Sequence, residues 1–126
     1  MLLGKTGIHI IGDLYECSFE DFATITRDGI INIFGSMIDD EGLNRLGEHI
    51  HLFGGASFTA VFALAESHVS IHTWPEFGYV SIDVFVCNQS QDNSSKAENL
   101  YKKLMEIFQS QEQKLQTIHR SMIAHK

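Results

Sequence analysis

The stretch from Leu64 to Cys87 places serine, histidine, tryptophan, glutamate and cysteine close together. Ser67 follows Glu66, and a serine hydroxyl can attack the carbonyl just before it through a five-membered ring, with proximity supplying most of the rate advantage. The attack also needs a strained peptide, hydrogen-bond donors for the developing oxyanion and a base for the serine proton. His72 is the candidate base, so these residues make self-cleavage between Glu66 and Ser67 chemically possible.

Strand alternation sets a geometric condition on this chemistry. In a regular strand Ser67 shares a face with Val69, whereas His72 lies on the other face with His68. We therefore expect a bend or bulge at Ser67 if Ser67 and His72 are to cooperate. Residues 74–78, WPEFG, contain the only proline of the chain and a glycine, which favour a tight reversal and a β-hairpin.

Residues 66–87, ESHVSIHTWPEFGYVSIDVFVC, resemble the signature of the prokaryotic S-adenosylmethionine decarboxylases. The resemblance is densest from His51 to Cys87 and weaker in GIHIIGDLYEC near the start of the chain. It implies that the Glu66–Ser67 bond breaks by an N-to-O acyl shift and β-elimination, which converts Ser67 into a covalent pyruvoyl group. The chain would then consist of fragments 1–66 and 67–126. A pyruvoyl carbonyl is an electron sink, which would condense with the substrate amine to a Schiff base during decarboxylation.

The same resemblance implies roles for further residues. Cys87 matches the cysteine that returns a proton to the substrate Cα, and Thr59 matches a hydroxyl that aids processing. Phe53 matches an aromatic residue that stacks on adenine, and Glu76 a carboxylate that binds the ribose hydroxyls. Trp74 falls at a binding position, where an aromatic face can attract the sulfonium cation of S-adenosylmethionine.

Metal binding is an alternative use of the same residue types. Histidine nitrogens and a cysteine sulfur are ordinary zinc ligands. Their spacing in this chain matches no known ligand pattern, so the metal site is the less favoured interpretation. The candidate ligands are His49, His51, His68, His72 and Cys87.

Two other functions remain open at this point. One is a pyruvoyl-dependent decarboxylase of arginine or ornithine on the same scaffold, because one fold often serves several substrates. The other is an unprocessed homologue that binds an adenosyl ligand or a protein partner without catalysis. Phe53 and Glu76 favour the nucleoside substrate, and intact mass distinguishes a processed chain from an unprocessed one.

Charge and composition exclude some classes of partner. The 126 residues carry 16 acidic and 9 basic side chains, a formal net charge of -7, and no basic stripe that would follow a nucleic-acid backbone. The chain has neither a signal-peptide pattern nor an apolar stretch of membrane-spanning length, so we expect a cytoplasmic protein. Cys17 and Cys87 are far apart and form no CxxC pair, so we expect reduced thiols.

The apolar pattern predicts a single domain over residues 1–126. Its fold class is α+β, a two-layer sandwich in which an antiparallel β-sheet carries two helices on one face. The family resemblance implies an active site at a subunit interface, and a homo-oligomer would also cover the second face of the sheet. The predicted strands are Gly7–Leu14, Leu43–Phe53, Phe58–Leu64, the two arms of the hairpin ending at Cys87, and 113–121.

The two predicted helices have different sequence signals. Arg27–Asp40 has apolar residues at helical spacing, although Gly29 and Gly35 lie inside it. Ser95 and Glu98 form a capping-box pattern at the start of the second helix. Gly12 is the expected position of a bulge in the first strand.

Overall fold

The computed structural model describes residues 6–88 and 92–121. Within these ranges the chain forms six strands and two α-helices, and short 3₁₀ turns cover Glu20–Phe22 and Pro75–Phe77. The α+β fold predicted from the sequence is confirmed. In chain order the elements are β1 (Thr6–Tyr15), α1 (Arg27–Asp40), β2 (Arg45–Gly54), β3 (Ser57–Leu64), β4 (Ser67–Trp74), β5 (Tyr79–Cys87), α2 (Ser94–Ile107) and β6 (Glu112–Ser121).

The strands form one antiparallel sheet in the order β2-β3-β4-β5-β1-β6. β1 is therefore an interior strand, paired with β5 on one side and β6 on the other. A cut after Glu66 would leave β1, β2 and β3 in the first fragment and β4, β5 and β6 in the second. In the sheet, β1 of the first fragment lies between two strands of the second.

Side-chain alternation divides the sheet into a covered face and an open face. The covered face packs against both helices, and Ile71, Ile82 and Phe62 at its centre are at most 1% exposed. Cross-strand partners lie on the same face, so the strand register identifies the opposite side. We call that side the open face; it carries His9, Asp13, His49, His51, Phe53, Thr59, Val61, His68, Ser70, His72, Trp74, Ser81, Asp83, Phe85, Cys87 and Ile118.

Helix α1 has the predicted limits because local contacts accommodate its glycines. The side chain of Thr26 caps the helix, accepting a hydrogen bond of 3.0 Å from the Gly29 amide. A side chain at Gly35 would overlap the guanidinium of Arg45, which lies across the helix and binds Asp39 at 2.9 Å. In the described part of the chain, neither helix is long and apolar enough to span a membrane.

The predicted bulge at Gly12 is wrong. Gly12 pairs in regular register with Ile82 on β5 and Leu115 on β6. A Cβ atom at this position would overlap the ring of Tyr101 on α2, so the missing side chain makes room for the helix. Gly12 therefore allows close packing of the helix on the strand and does not mark a bulge.

The predicted capping box of α2 is also wrong. The helix begins at Ser94, with Asn93 in the N-cap position, so Ser95 lies inside the helix. The carboxylate of Asp92 accepts a hydrogen bond of 2.9 Å from the Ser94 amide. Hydrogen bonds from residues before Ser95 therefore organise this helix start, and the spacing of Ser95 and Glu98 has no capping role.

Candidate active site

The Glu66–Ser67 bond lies at a tight turn between β3 and β4. Leu64 pairs with Ser67, so Ala65 and Glu66 form a two-residue connection. Glu66 has a φ of 64°, in the left-handed region that a residue with a side chain rarely adopts. Such a conformation costs on the order of 1–3 kcal/mol and persists only where the surrounding structure enforces it. The backbone strain expected for self-cleavage is therefore present directly before Ser67.

Cys87 contacts both sides of this bond. Its Sγ donates a hydrogen bond of 2.8 Å to the carbonyl oxygen of Glu66, and its backbone amide donates one of 3.1 Å to the Ser67 Oγ. Cys87 is only 7% exposed. Negative charge develops on the carbonyl oxygen when its carbon is attacked, and a donor already aimed at that oxygen stabilises the charge. The thiol therefore occupies the position of an oxyanion donor.

A second group of predicted site residues surrounds a cleft of about 350 Å³. Thr59 and His72 are cross-strand partners, and the Thr59 Oγ1 lies 3.0 Å from the His72 Nδ1. If Thr59 accepts this hydrogen bond, Nε2 of His72 is the unprotonated nitrogen that can act as a base. The cleft volume is within the range of small-molecule sites. Its lining consists of Phe53, Ser57, Thr59, His72, Thr73, Trp74 and Glu76.

Two residues that the sequence analysis did not select support the walls of this cleft. Thr73 is 4% exposed, and its hydroxyl accepts from the Phe58 amide at 2.8 Å and donates to the Ala56 carbonyl at 2.6 Å. The Tyr79 hydroxyl donates a hydrogen bond of 2.5 Å to Asp13. Burial and the Asp13 carboxylate raise the pKa of Tyr79, so its hydroxyl stays a donor. These contacts hold the end of β4, but their side chains carry no distinctive sequence signal.

The aromatic contacts of Tyr79 extend this support to the cleft itself. The ring of Tyr79 lies 5.3 Å from that of Trp74, which in turn lies 6.0 Å from the imidazole of His72. Ring centroids at these separations are in the range of favourable aromatic pairs. The hydrogen bond between Tyr79 and Asp13 therefore fixes one end of a row of rings that reaches His72.

The two groups of site residues lie at opposite ends of β4. Ser67 begins the strand and His72 follows five residues later, a separation of about 16 Å at the usual rise of a strand. The pairing of β4 with β3 and β5 is regular along this length, so the bend expected at Ser67 does not bring it to His72. Phe53, Trp74 and Glu76 share the cleft of His72 rather than flanking Ser67.

His9 lies on the open face, beside Asp83. Its Nε2 is buried without a hydrogen-bond partner, at 3.9 Å from the Asp83 carboxylate. Burial lowers the pKa of His9, and Asp83 partly opposes this effect. Within the described ranges, no group of three or more histidine, cysteine, aspartate or glutamate side chains is placed to hold a metal ion. The geometry of the described histidines therefore gives the metal alternative no support.

Comparison with known proteins identifies the family. Residues 8–121 match the family model described as S-adenosylmethionine decarboxylase. The chain belongs to the S-adenosylmethionine decarboxylase family. An S-adenosylmethionine decarboxylase proenzyme of Archaeoglobus fulgidus is 35% identical over 109 residues, which cover 86% of this chain and 88% of that protein. One from Methanococcus vannielii is 39% identical over 85 residues, 68% of each protein.

A solved structure of the S-adenosylmethionine decarboxylase family has the same fold. The crystal structure of the adenosylmethionine decarboxylase from Aquifex aeolicus VF5 superimposes with a TM-score of 0.80 at 25% sequence identity. The superposition covers 98% of this chain and 97% of the other. The likeness therefore extends over nearly all of the two-layer domain.

Proposed function

We propose that this protein decarboxylates S-adenosylmethionine to S-adenosylmethioninamine, the aminopropyl donor for spermidine synthesis. A pyruvoyl group made from Ser67 would be its cofactor. The observation that carries the proposal is the position of Cys87, which donates to the carbonyl oxygen before the cleavage point and to the hydroxyl after it. Relatives that are named proenzymes fit a chain that is made as a precursor.

In the proposed processing reaction, the Ser67 Oγ attacks the carbonyl carbon of Glu66 and gives its proton to a base. The thiol of Cys87 stabilises the negative charge on the Glu66 oxygen, and the peptide becomes an ester as the amine leaves. A base then removes the Cα proton of residue 67, the Cβ–Oγ bond breaks, and Glu66 is released as a carboxylate, which leaves dehydroalanine. The dehydroalanine tautomerises to an imine, and water hydrolyses the imine to a ketone at the start of the second fragment with release of ammonia. The strained backbone at Glu66 favours the first step.

The surroundings of Ser67 fit a pyruvoyl group. The group supplies an electron sink for the carbanion left when carbon dioxide departs. Cys87 lies beside the position where the second fragment would begin, so its thiol is the proposed donor of a proton to the substrate Cα. At 7% exposure the thiol is largely shielded from water, which limits competing proton transfer from solvent.

The cleft around His72 is the proposed nucleoside site. Phe53 would stack on the adenine, and Glu76 would accept hydrogen bonds from the ribose hydroxyls. Trp74 presents an aromatic face that attracts the sulfonium. Thr59 would orient His72, the proposed base for processing, through the contact at Nδ1.

The distance between the residues around Ser67 and those around His72 leads us to propose a dimer formed through the open face. About 16 Å lies between Ser67 and His72 of one chain, so the His72 near a given Ser67 would come from a second copy. Two sheets stacked face to face in opposite directions would bring the two ends of β4 together. Apolar side chains on the open face support this assembly: Phe53 is 65% exposed, Val61 38% and Ile118 37%.

Intact mass and carbon dioxide release test the proposed function. We expect purified protein to give fragments 1–66 and 67–126, the second with a blocked pyruvoyl end, and to release carbon dioxide from S-adenosylmethionine. Ser67→Ala should remain one inactive chain. The matched control is Ser70→Ala on the same strand, which should be cut normally because the Ser70 hydroxyl donates to Asp83, at 3.4 Å, and not to the cleavage point.

Three outcomes would overturn parts of the proposal. A single full-length wild-type chain would exclude self-cleavage and favour a non-catalytic homologue. Release of carbon dioxide from arginine or ornithine, but not from S-adenosylmethionine, would exclude the proposed substrate while leaving the cofactor in place. Two fragments in Ser67→Ala would exclude Ser67 as the nucleophile.

A further inference from the structure

The side chain of Phe53 is largely exposed, although Phe53 is proposed to position a ligand. It lies on the edge strand β2, where the register with β3 shifts between Leu52 and Gly54, and it is 65% exposed. Among the described residues its one ring contact is with His51, at 4.5 Å between centroids and 57° between planes. No other aromatic pair in the described ranges has closer centroids.

His51 also lies next to the rest of the cleft. Its cross-strand partner is Thr59, which contacts His72 through Nδ1. His51 and Phe53 are two residues apart on the open face, so their side chains lean on each other along the strand. His51 thus lies between Phe53, the proposed stacking residue, and Thr59, which contacts the proposed base His72.

We propose that His51 is a positioning residue, which holds the Phe53 ring in the orientation from which the ring stacks on adenine. This inference rests on the proposed function, because it takes Phe53 as the nucleoside-stacking residue. An exposed phenylalanine on an edge strand samples several side-chain conformations, and fixing one of them before binding lowers the entropy cost of binding. His51 therefore contributes to affinity for the nucleoside without touching the reacting atoms.

The single tryptophan of the chain gives a direct measurement of this effect. Trp74 lines the same cleft as Phe53, so its fluorescence should report adenosine binding without any turnover. In His51→Ala we expect the Kd for adenosine to rise about three- to tenfold, the effect of losing one aromatic pair. The KM for S-adenosylmethionine should rise by the same factor, with kcat and the extent of cleavage unchanged.

Three further variants separate positioning of the Phe53 ring from other roles of His51. His49→Ala is the matched control: His49 is on the same face of the same strand but opposite Val61, and it should bind adenosine like the wild type. His51→Phe keeps a ring against Phe53 and should restore affinity to near the wild-type value. If His51→Gln restores affinity and His51→Phe does not, a hydrogen bond is responsible and the positioning role is excluded.

The outcomes also separate this inference from the proposed reaction. Wild-type protein that binds adenosine but releases no carbon dioxide would overturn the proposed catalysis, while the loss of affinity in His51→Ala would still support the role of His51. Wild-type protein that does not bind adenosine would overturn both. Unchanged adenosine affinity in His51→Ala would overturn the role of His51 alone.

Discussion

Cys87 combines two tasks in the proposed chemistry because of where its strand ends. In the uncut chain its thiol binds the oxygen of the bond to be broken, and its amide binds the attacking hydroxyl. After the cut, the same sulfur lies beside the new end of the second fragment. A single side chain can therefore stabilise charge in the first reaction and transfer a proton in the second.

The two tasks can be separated by substitution. Cys87→Ala removes the donor to the Glu66 oxygen, and we expect cleavage to slow by about 100-fold, as for the loss of an oxyanion donor. Cys87→Ser keeps an O–H donor and should be cut much faster than Cys87→Ala, although its decarboxylation should be impaired. Intact mass against time after synthesis measures the cleavage. Equal cleavage rates in the two variants would argue against the donor role.

His9 gives the stability of the protein a predictable dependence on pH. Burial lowers its pKa, with Asp83 opposing this effect and His68 and Arg120 adding to it. Below pH about 6.5, the unfolded chain takes up a proton on this histidine that the folded chain resists, so stability is lost as the pH falls through this range. Above that pH both states are neutral at His9, and the group has no effect.

The measurement compares urea unfolding at pH about 7.5 and about 5.5, in chains kept uncut by Ser67→Ala. We expect the free energy of unfolding to fall by less in His9→Gln than in the parent chain. Asp83, His68 and Arg120 are present in both proteins, so the comparison isolates the substitution at His9. An equal fall in both proteins would mean that His9 is not the source.

At the level of elements, the packing of α2 on the sheet depends on Gly12. A methyl group there would overlap the ring of Tyr101, which is 5% exposed and donates to Gln113 at 3.0 Å. We expect Gly12→Ala to lower the free energy of unfolding by about 1–3 kcal/mol through overpacking. The control is Gly47→Ala on β2, where a Cβ meets no atom within 4 Å. Denaturant unfolding should show little change for Gly47→Ala; a similar loss in both would contradict the packing argument.

The elements were largely predictable because their signals are local. Alternating apolar residues define β5, and the spacing of Ile30, Phe34 and Ile38 defines α1 against the preference of its two glycines. The errors arise where a side-chain contact that the sequence pattern does not show decides the local structure. Tyr101 determines what Gly12 is for, and the contact of Asp92 with the Ser94 amide determines where α2 begins.

The chemical types of the site residues were predictable from the motif, but their arrangement was not. A sequence of alternating residues fixes the face of each side chain, and on that basis Ser67 and His72 were already on different faces. The distance between them depends on whether the strand bends, which the regular pairing with both neighbours decides. The contacts of Cys87 come from the end of a different strand, so no spacing along the chain could indicate them.

For the whole molecule, the proposed division of the site between two chains makes a strong prediction. Ser67→Ala and His72→Ala should each be inactive alone. In a mixed pair, the Ser67→Ala chain supplies His72 and the His72→Ala chain supplies Ser67, so one complete site forms. Co-expression should restore about one quarter of wild-type activity, since half of the random pairs are mixed and each has one complete site.

Mass tags on the two chains identify which one is cut in this experiment. We expect cleavage of the His72→Ala chain, which retains Ser67, and only when Ser67→Ala is present. Absence of cleavage and activity in the mixture, with mixed pairs demonstrated by the tags, would place Ser67 and His72 of the same chain in one site.

The position of β1 between β5 and β6 determines how the two fragments of a cut chain would separate. Separating the two fragments requires both ladders of β1 and the ladder between β3 and β4 to open together. Dissociation of the two fragments should therefore be slow. Reassociation of separated fragments would depend on their concentration. The proposed cut at Glu66 would thus change folding within one chain into association of two fragments, so dilution would favour separation of the fragments in the cut protein but not in the uncut chain.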